Sequence, residues 1–412
     1  MKRLIGRTGL ETMRHVAAAT VVTVGLAGSA WAADPVKDAA PAATPLATAA
    51  ATALATDAKD GEKKDDGQDP PAANPVAEFF KQVYVDGLVD VYYMWAFNEE
   101  APQLHAFDIK HNAFTLNYAE VGIGKDATDT SRAGFRFDFG AGDTAEQTNA
   151  FEPGGTDYLK YVQQAYVSYL APVGSGLTID FGKFVTPAGG EVIEAKDNYN
   201  YSRGLLFWLG IPLYHTGFRV GYTVNDDVSI KGFLVNGWNN VDENNDGKTV
   251  GFSLGLTPGD KTTIAVNYLV GNEFPDDVDG GTRNLIDLVG IFAVTDKFSV
   301  LGNFDYGSDS LDDDSLNWYG VALGAKFQAT EQFAVSPRYE WFVDDDGFAT
   351  GLSQTLQSLT LTGEYKAKGG LTTRFEFRND FSDEDYFEKG DGLKSNQPVV
   401  SVAFLYSFSS KQ

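Results

Sequence analysis

The chain contains no cysteine. That excludes a disulfide framework, a zinc–thiolate site and thiol catalysis. It contains 4 histidines, His15, His105, His111 and His215, with no zinc-ligand spacing among them. It has no glycine-rich phosphate loop. Beyond its first 32 residues it has no run approaching the roughly 18 apolar residues of a spanning helix. Positive charge is scarce. Lys and Arg number 32 against 57 Asp and Glu, a net charge of −25. Such a chain does not bind nucleic acid or an anionic lipid surface by electrostatics. Methionine is also rare, at 3, while Gly 44, Phe 29 and Tyr 19 favour strands and turns over helices.

The N-terminus reads as an export signal. Lys2, Arg3, Arg7 and Arg14 form a positive segment diluted by Glu11. An apolar run follows over 16–27, and Ala30-Trp31-Ala32 supplies the small-x-small pattern of a cleavage site. The run is too short and too rich in Ala, Gly and Thr for a permanent anchor. A signal peptide is therefore expected over 1–32. Residues 33–82 follow as an Ala/Pro/Asp-rich tail that cannot bury enough apolar surface to offset its ordering entropy. Within it, 75–82 reads as a short helical turn abutting the barrel floor.

From Tyr84 the hydrophobic period becomes two. Val89, Val91, Tyr93 and Trp95 alternate with Leu88, Asp90 and Tyr92. Phe135, Phe137 and Phe139 alternate with Arg136 and Asp138. Phe375 and Phe377 alternate with Arg374, Glu376 and Arg378. Each set occupies one face of a strand. Alternation alone does not say which face is wet. The connections do. Short ones, such as 257–261, 329–332 and 367–370, alternate with long ones, such as 98–110, 141–158, 185–215, 307–316 and 382–397. Short periplasmic turns and long external loops mark bacterial outer-membrane barrels. The expected fold is all-β: a transmembrane antiparallel barrel of about 16 strands over 83–408, followed by an extension over 409–412. An even strand count returns both termini to the periplasm. Aromatics near the strand ends, such as Tyr84, Tyr169, Phe298, Phe333 and Tyr365 on one rim and Trp95, Tyr306 and Trp341 on the other, suit interfacial girdles. The phase slips within 111–125 and 228–236, so a bulge is expected in each.

The segments Gly182-Lys183-Phe184, Thr186-Pro187, Gly190-Glu191, Asn198-Tyr199, Tyr201-Ser202-Arg203, then Pro212, His215, Gly217, Arg219, Tyr222 and Asn236-Gly237-Trp238, resemble the OmpL-like family of outer-membrane β-barrel porins. So do the opening strand 85–93 and Ala119-Glu120. The resemblance runs from Tyr84 to Phe408 and leaves the tail outside. It implies a channel, with the solute left open.

The third external loop, 185–215, is the longest and is too aromatic to wave in solvent. It is expected to fold into the lumen, with Glu191, Glu194, Asp197, Tyr199, Tyr201 and Arg203 at a constriction. Arg132, Arg136, Asp138, Arg219, Arg338, Arg374, Glu376 and Arg378 are expected to face the lumen, because unpaired charge is too costly for a dry core. The external loops are acidic. They either concentrate cations at the mouth or hold divalent ions that bridge lipopolysaccharide. Residues 242–247 match half of a calcium loop but lack the closing acid, so they read as an Asn/Asp/Gly turn. His215 with Ser202 lacks any nucleophile motif, so no catalysis, cofactor or metal is expected. The expected function is a porin for small hydrophilic solutes or ions, plausibly a homotrimer among outer-membrane lipid. The alternatives are a substrate-specific channel and a structural or adhesive protein with a closed lumen.

Overall fold

The computed structural model describes residues 75–150, 159–278, 280–311 and 314–411. The expected signal peptide and most of the expected tail lie outside them. Within the tail, α1 (Pro75–Phe80) is a helical turn.

The chain then runs through β1 (Tyr84–Ala96), β2 (Ala113–Lys125), β3 (Ala133–Ala141), a short helix α2 (Asp143–Thr148), β4 (Val162–Ala171), β5 (Leu177–Val185) and β6 (Tyr214–Asn225). It continues through β7 (Val228–Val235), β8 (Thr249–Leu256), β9 (Thr262–Asn272), β10 (Thr282–Thr295), β11 (Phe298–Leu311) and β12 (Asp314–Gln328). It ends with β13 (Phe333–Asp344), β14 (Gln354–Lys366), β15 (Leu371–Ser382), the small hairpin β16 (Phe387–Lys389) and β17 (Gly392–Lys394), and β18 (Asn396–Ser409). Each long strand pairs antiparallel with its neighbours in sequence. β15 skips the hairpin to pair with β18, and β18 closes on β1 to make a barrel of 16 strands. Among the described residues no helix is long and apolar enough to cross a membrane. The strands do the crossing.

The two faces of the wall settle which side is wet. Val89, Phe137, Val167, Phe218, Leu361 and Phe404 are exposed on the outside. Asp90, Asp138, Asp180, Asp287, Asp305, Glu340 and Arg378 are buried on the inside. A water-soluble fold has the opposite arrangement. A lipid-embedded barrel requires this one, and closure leaves no strand edge unpaired in lipid. Four outward tyrosines donate to amide oxygens one strand over. They are Tyr93 to Asn112 at 2.8 Å, Tyr268 to Asn284 at 2.8 Å, Tyr306 to Asn317 at 3.0 Å and Tyr339 to Gln357 at 2.8 Å. Their rings meet the acyl region while their hydroxyls stay satisfied, as an interfacial belt demands.

Two features differ from the expectation and one falls where it was expected. The connection expected over 307–316 is mostly strand, because β11 and β12 stay in register up to Leu311 opposite Asp314. The bulge expected within 111–125 falls at Asn117, where the ladder to β1 shifts between Asp90 and Val91. The bulge expected within 228–236 lies across the turn on β6, between Thr223 and Asn225. Residues after 408 also continue the wall. The Val85 backbone N–H donates to Ser410 Oγ at 2.7 Å, and Ser410 N–H donates to the Val85 carbonyl at 2.9 Å.

The expected outcome in detergent is a sheet-dominated far-ultraviolet spectrum, with gel mobility that changes on heating. A helix-dominated spectrum contradicts the fold.

Candidate pore and its constriction

Loop 186–213 begins and ends where the wall is bent. Gly182 and Gly217 face each other across β5 and β6 at φ +138° and +153°. A Cβ on either would meet backbone, at 2.2 Å from the Ala165 oxygen and 2.4 Å from the Leu234 oxygen respectively. Only glycine fits such a close approach in that backbone region. His215 then pins the loop base. Its Nδ1 lies 2.9 Å from the Gly237 carbonyl, and its Nε2 lies 3.1 Å from Thr186 Oγ1. A carbonyl only accepts, so Nδ1 carries the proton and Nε2 accepts from Thr186. His215 is committed to structure, and the Ser202 backbone is held by Glu376. The two residues form no catalytic pair.

From its base the loop crosses to inward side chains around most of the wall. Asn267 donates to the Pro187 carbonyl at 2.9 Å. Gly189 N–H donates to Asp287 at 2.9 Å, and Gly190 N–H donates to Asn303 at 2.7 Å. Tyr201 and Ser202 N–H both donate to Glu376, at 2.6 and 2.9 Å. Arg374 donates to the carbonyls of Ala195, Asn198 and Asn200 at 2.5–2.8 Å. Arg338 donates to the Ser202 carbonyl, Arg378 donates to that of Arg203, and Trp318 Nε1 donates to that of Gly210. Tyr201 Oη donates to Asp90 at 3.0 Å and accepts from Asn117 Nδ2 at 3.0 Å. The bulge at Asn117 therefore aims a side chain at the loop.

The apolar half of the loop packs as a plug. A π-helical turn over Leu206–Gly210 buries Leu206, Phe207 and Trp208 against Leu104 and Phe107 of loop 97–112 and against Trp318, Phe342 and Phe387. Each such side chain contributes roughly 1.5–3 kcal/mol on burial. Loop 97–112 is held in turn by His105, whose ring nitrogens lie 2.7 Å from Asp108 and 3.2 Å from Asp380. Burial and Arg378 oppose its protonation, but the two carboxylates outweigh them and raise its pKa.

The expected constriction residues divide. Asp197 is exposed and paired with Lys196. Glu191 accepts from Gly204 N–H at 2.6 Å and from Arg338 at 2.6 Å, and keeps part of its surface open. Tyr199 is half-buried, with its hydroxyl 2.8 Å from Ser299 Oγ. Glu194 is nearly covered. Burial pushes its carboxyl up to about 7, Lys196 opposes the shift, and Asp197 and Asp138 add to it. Tyr201 and Arg203 do not face water. Arg203 is 1% exposed, donates to the Tyr201 carbonyl at 2.7 Å and stacks 4.7 Å from the Phe107 ring centre.

The expected lumen charges divide likewise. Arg136 pairs with Asp86 and Asp138, both at 2.6 Å, with part of its side chain open. Arg219 pairs with Asp180 at 2.8 Å. Arg132 sits in the turn after β2, beside Asp129. Arg338, Arg374, Glu376 and Arg378 point into the barrel, where they lie buried beneath the loop and anchor it. An uncovered peptide group in a narrow lumen needs a partner, and these charges are the nearest donors and acceptors. Sequence reasoning did not single out Asp287, Asn303 or Asn267 as loop partners. Their signal is cross-strand. Asp287 faces Asp305 directly, an unfavourable like-charge pair unless a third group intervenes. Among the described residues no cluster of three His, Asp or Glu suits a metal.

A closed barrel with a polar interior, an apolar exterior and a loop fixed through its lumen is the architecture of an outer-membrane porin. The chain belongs to the family described as "Putative beta-barrel porin-2, OmpL-like", whose model matches residues 82–408. The fold is similar to the anion-selective porin of Comamonas acidovorans, at 11% identity over 79% of this chain and 99% of that one, with a TM-score of 0.55. It is also similar to the channel DcaP of Acinetobacter baumannii, at 13% identity, 79% and 97% coverage and a TM-score of 0.54. The trimer form of OmpT of Vibrio cholerae is similar at 11% identity, with 79% and 99% coverage and a TM-score of 0.54. No curated protein sequence matches.

Two outcomes follow from the geometry. Arg374→Gln strands three loop carbonyls and removes the charge opposite Glu364. Breaking a buried pair on one side costs roughly 3–5 kcal/mol. Amide exchange over 195–203 should therefore accelerate far more than exchange in the strands. Glu194 is neutral below about 7 and charged above it. Cation preference in a salt gradient should therefore rise between pH 5.5 and 8.5, and Glu194→Gln should flatten that rise.

Proposed function

We propose that the barrel is a passive pore of the bacterial outer membrane for small hydrophilic solutes and ions. In this reading residues 1–32 are removed on export, and 33–82 and both barrel termini lie in the periplasm. The long loops face the outer leaflet and its lipopolysaccharide. The narrowest part lies along loop 186–213, beside Glu191, Glu194 and Asp197. The observation that carries the reading is the inverted wall, with apolar side chains outside and charge inside, part of which, as at Arg136 and Lys326, stays open to the lumen. The trimer form of OmpT among similar folds supports a homotrimer.

A second reading, a structural protein with a closed lumen, draws on the reach of the same loop. Its contacts run from β9 through β15 and on to β1 and β2. Single-channel recording in a planar bilayer separates the two. The pore reading expects discrete steps from the intact chain and larger steps after removal of 190–197. Steps that appear only after the deletion belong to the closed-lumen reading. Protease added to intact cells should cut 345–353 and spare 257–261. Cleavage of the short turn from outside reverses the proposed orientation.

A further inference from the structure

We propose that the lumen holds a binding site for a small organic anion, one carboxylate on an apolar body, beneath loop 186–213 at the short-turn end. The proposal rests on the reading of the barrel as a water-filled pore.

The site is a cavity of about 630 Å³ between the loop and the inner wall of β10–β14. That lies within the roughly 300–1,000 Å³ of small-ligand pockets. Its cationic surplus has a specific origin. Glu364, on β14, is buried to 2% side-chain exposure. Arg374 grips one of its oxygens at 2.7 and 2.9 Å. Lys326 Nζ lies 2.9 Å from the other oxygen and Lys366 Nζ lies 3.7 Å from it. Three cations thus share one carboxylate. Lys326 stands on β12, two strands from Glu364. It spans the gap because the inward residues of β13 at that level, Ala334 and Ser336, are small and lie buried under it.

The other charges of the cavity reduce this surplus without cancelling it, since Glu191 and Glu340 share one arginine and the rest balance. Glu191 and Glu340 are held by Arg338, Asp197 pairs with Lys196, and Asp296 pairs with Lys261. Lys297 and Asp260 on the rim make no ion pair among the described residues. Those two rim charges offset each other, and the positive potential therefore gathers at Lys326 and Lys366. A carboxylate there completes charge-assisted hydrogen bonds that Glu364 alone cannot provide for three donors.

The neighbouring surface suits the rest of such a ligand. The Tyr199 ring lies 6.0 Å from Lys326 Nζ and is fixed by its hydroxyl on Ser299. Leu301 and Ile291 continue the apolar side of the cavity. A flat ring can lie on this surface with its carboxylate at the lysines.

The test uses the full chain, with benzoate as probe and benzamide as its uncharged isostere. In planar bilayers benzoate should reduce potassium chloride conductance with saturation, and benzamide should not. Lys326→Met with Lys366→Met should raise the half-blocking benzoate concentration by about tenfold, the scale of losing one charge-assisted contact. Lys368→Met, on the adjacent turn but outside the cavity, should leave it unchanged. Saturation-transfer NMR on the detergent-solubilised protein reads benzoate binding without requiring conduction. Equal block by benzamide, an unshifted half-block in the double variant, or no saturation overturns the site. Conductance steps without saturable block sink the site and leave the pore. An absence of steps together with saturable, lysine-dependent binding sinks the pore and leaves the site.

Discussion

A peptide laid through a narrow lumen loses water from its N–H and C=O groups on several sides at once. Each such group left unpaired costs as much as a lost hydrogen bond. Here the wall provides the partners, and the distribution of charge inside the barrel follows from that need. Carboxylates such as Asp287, Glu340 and Glu376 receive the loop's N–H groups, while Arg338, Arg374 and Arg378 serve its carbonyls. The glycines at its base, the bulge at Asn117 and the tautomer of His215 all serve the same path.

The wall was legible in the sequence because its signal is local. Period-two alternation marks the strands, and the turns 257–261, 329–332 and 367–370 are the connections that the residues predict. Where the sequence reading misplaced an element, a pairing outweighed local composition. Ser308-Asp309-Ser310 has the look of a loop. Its backbone is nevertheless zipped against 315–317, and Gly281 N–H donates to the Ser310 carbonyl. Half of the candidate site was illegible for a related reason. A two-residue turn at 296–297 would set one register for β10 and β11, but the ladder shifts between Ala293 and Thr295. That shift brings Asp287 opposite Asp305. The inward charges were visible, and whether each meets water or the loop depends on a path that periodicity does not encode.

The motif that carries the family resemblance gains a physical meaning from this arrangement. Asn198 closes a turn by accepting from Val192 N–H and donating to its carbonyl, at 2.8 and 2.7 Å. Trp238 N–H donates to Glu273 at 2.7 Å. These residues position the loop, and Asn198 also lines the cavity beneath it. The motif therefore specifies the shape of the constriction.

The span of the loop also has a mechanical side. A hoop of strands held only by its own ladder is soft against ovalisation, because flattening bends many joints slightly and breaks none. Loop 186–213 ties β9–β15 to β1 and β2 through short, charge-assisted bonds. It acts as a cross-brace whose fastenings fail before the hoop can flatten. Lateral tension in the surrounding bilayer is then carried by the brace, and the bore keeps its section while the membrane around it stretches.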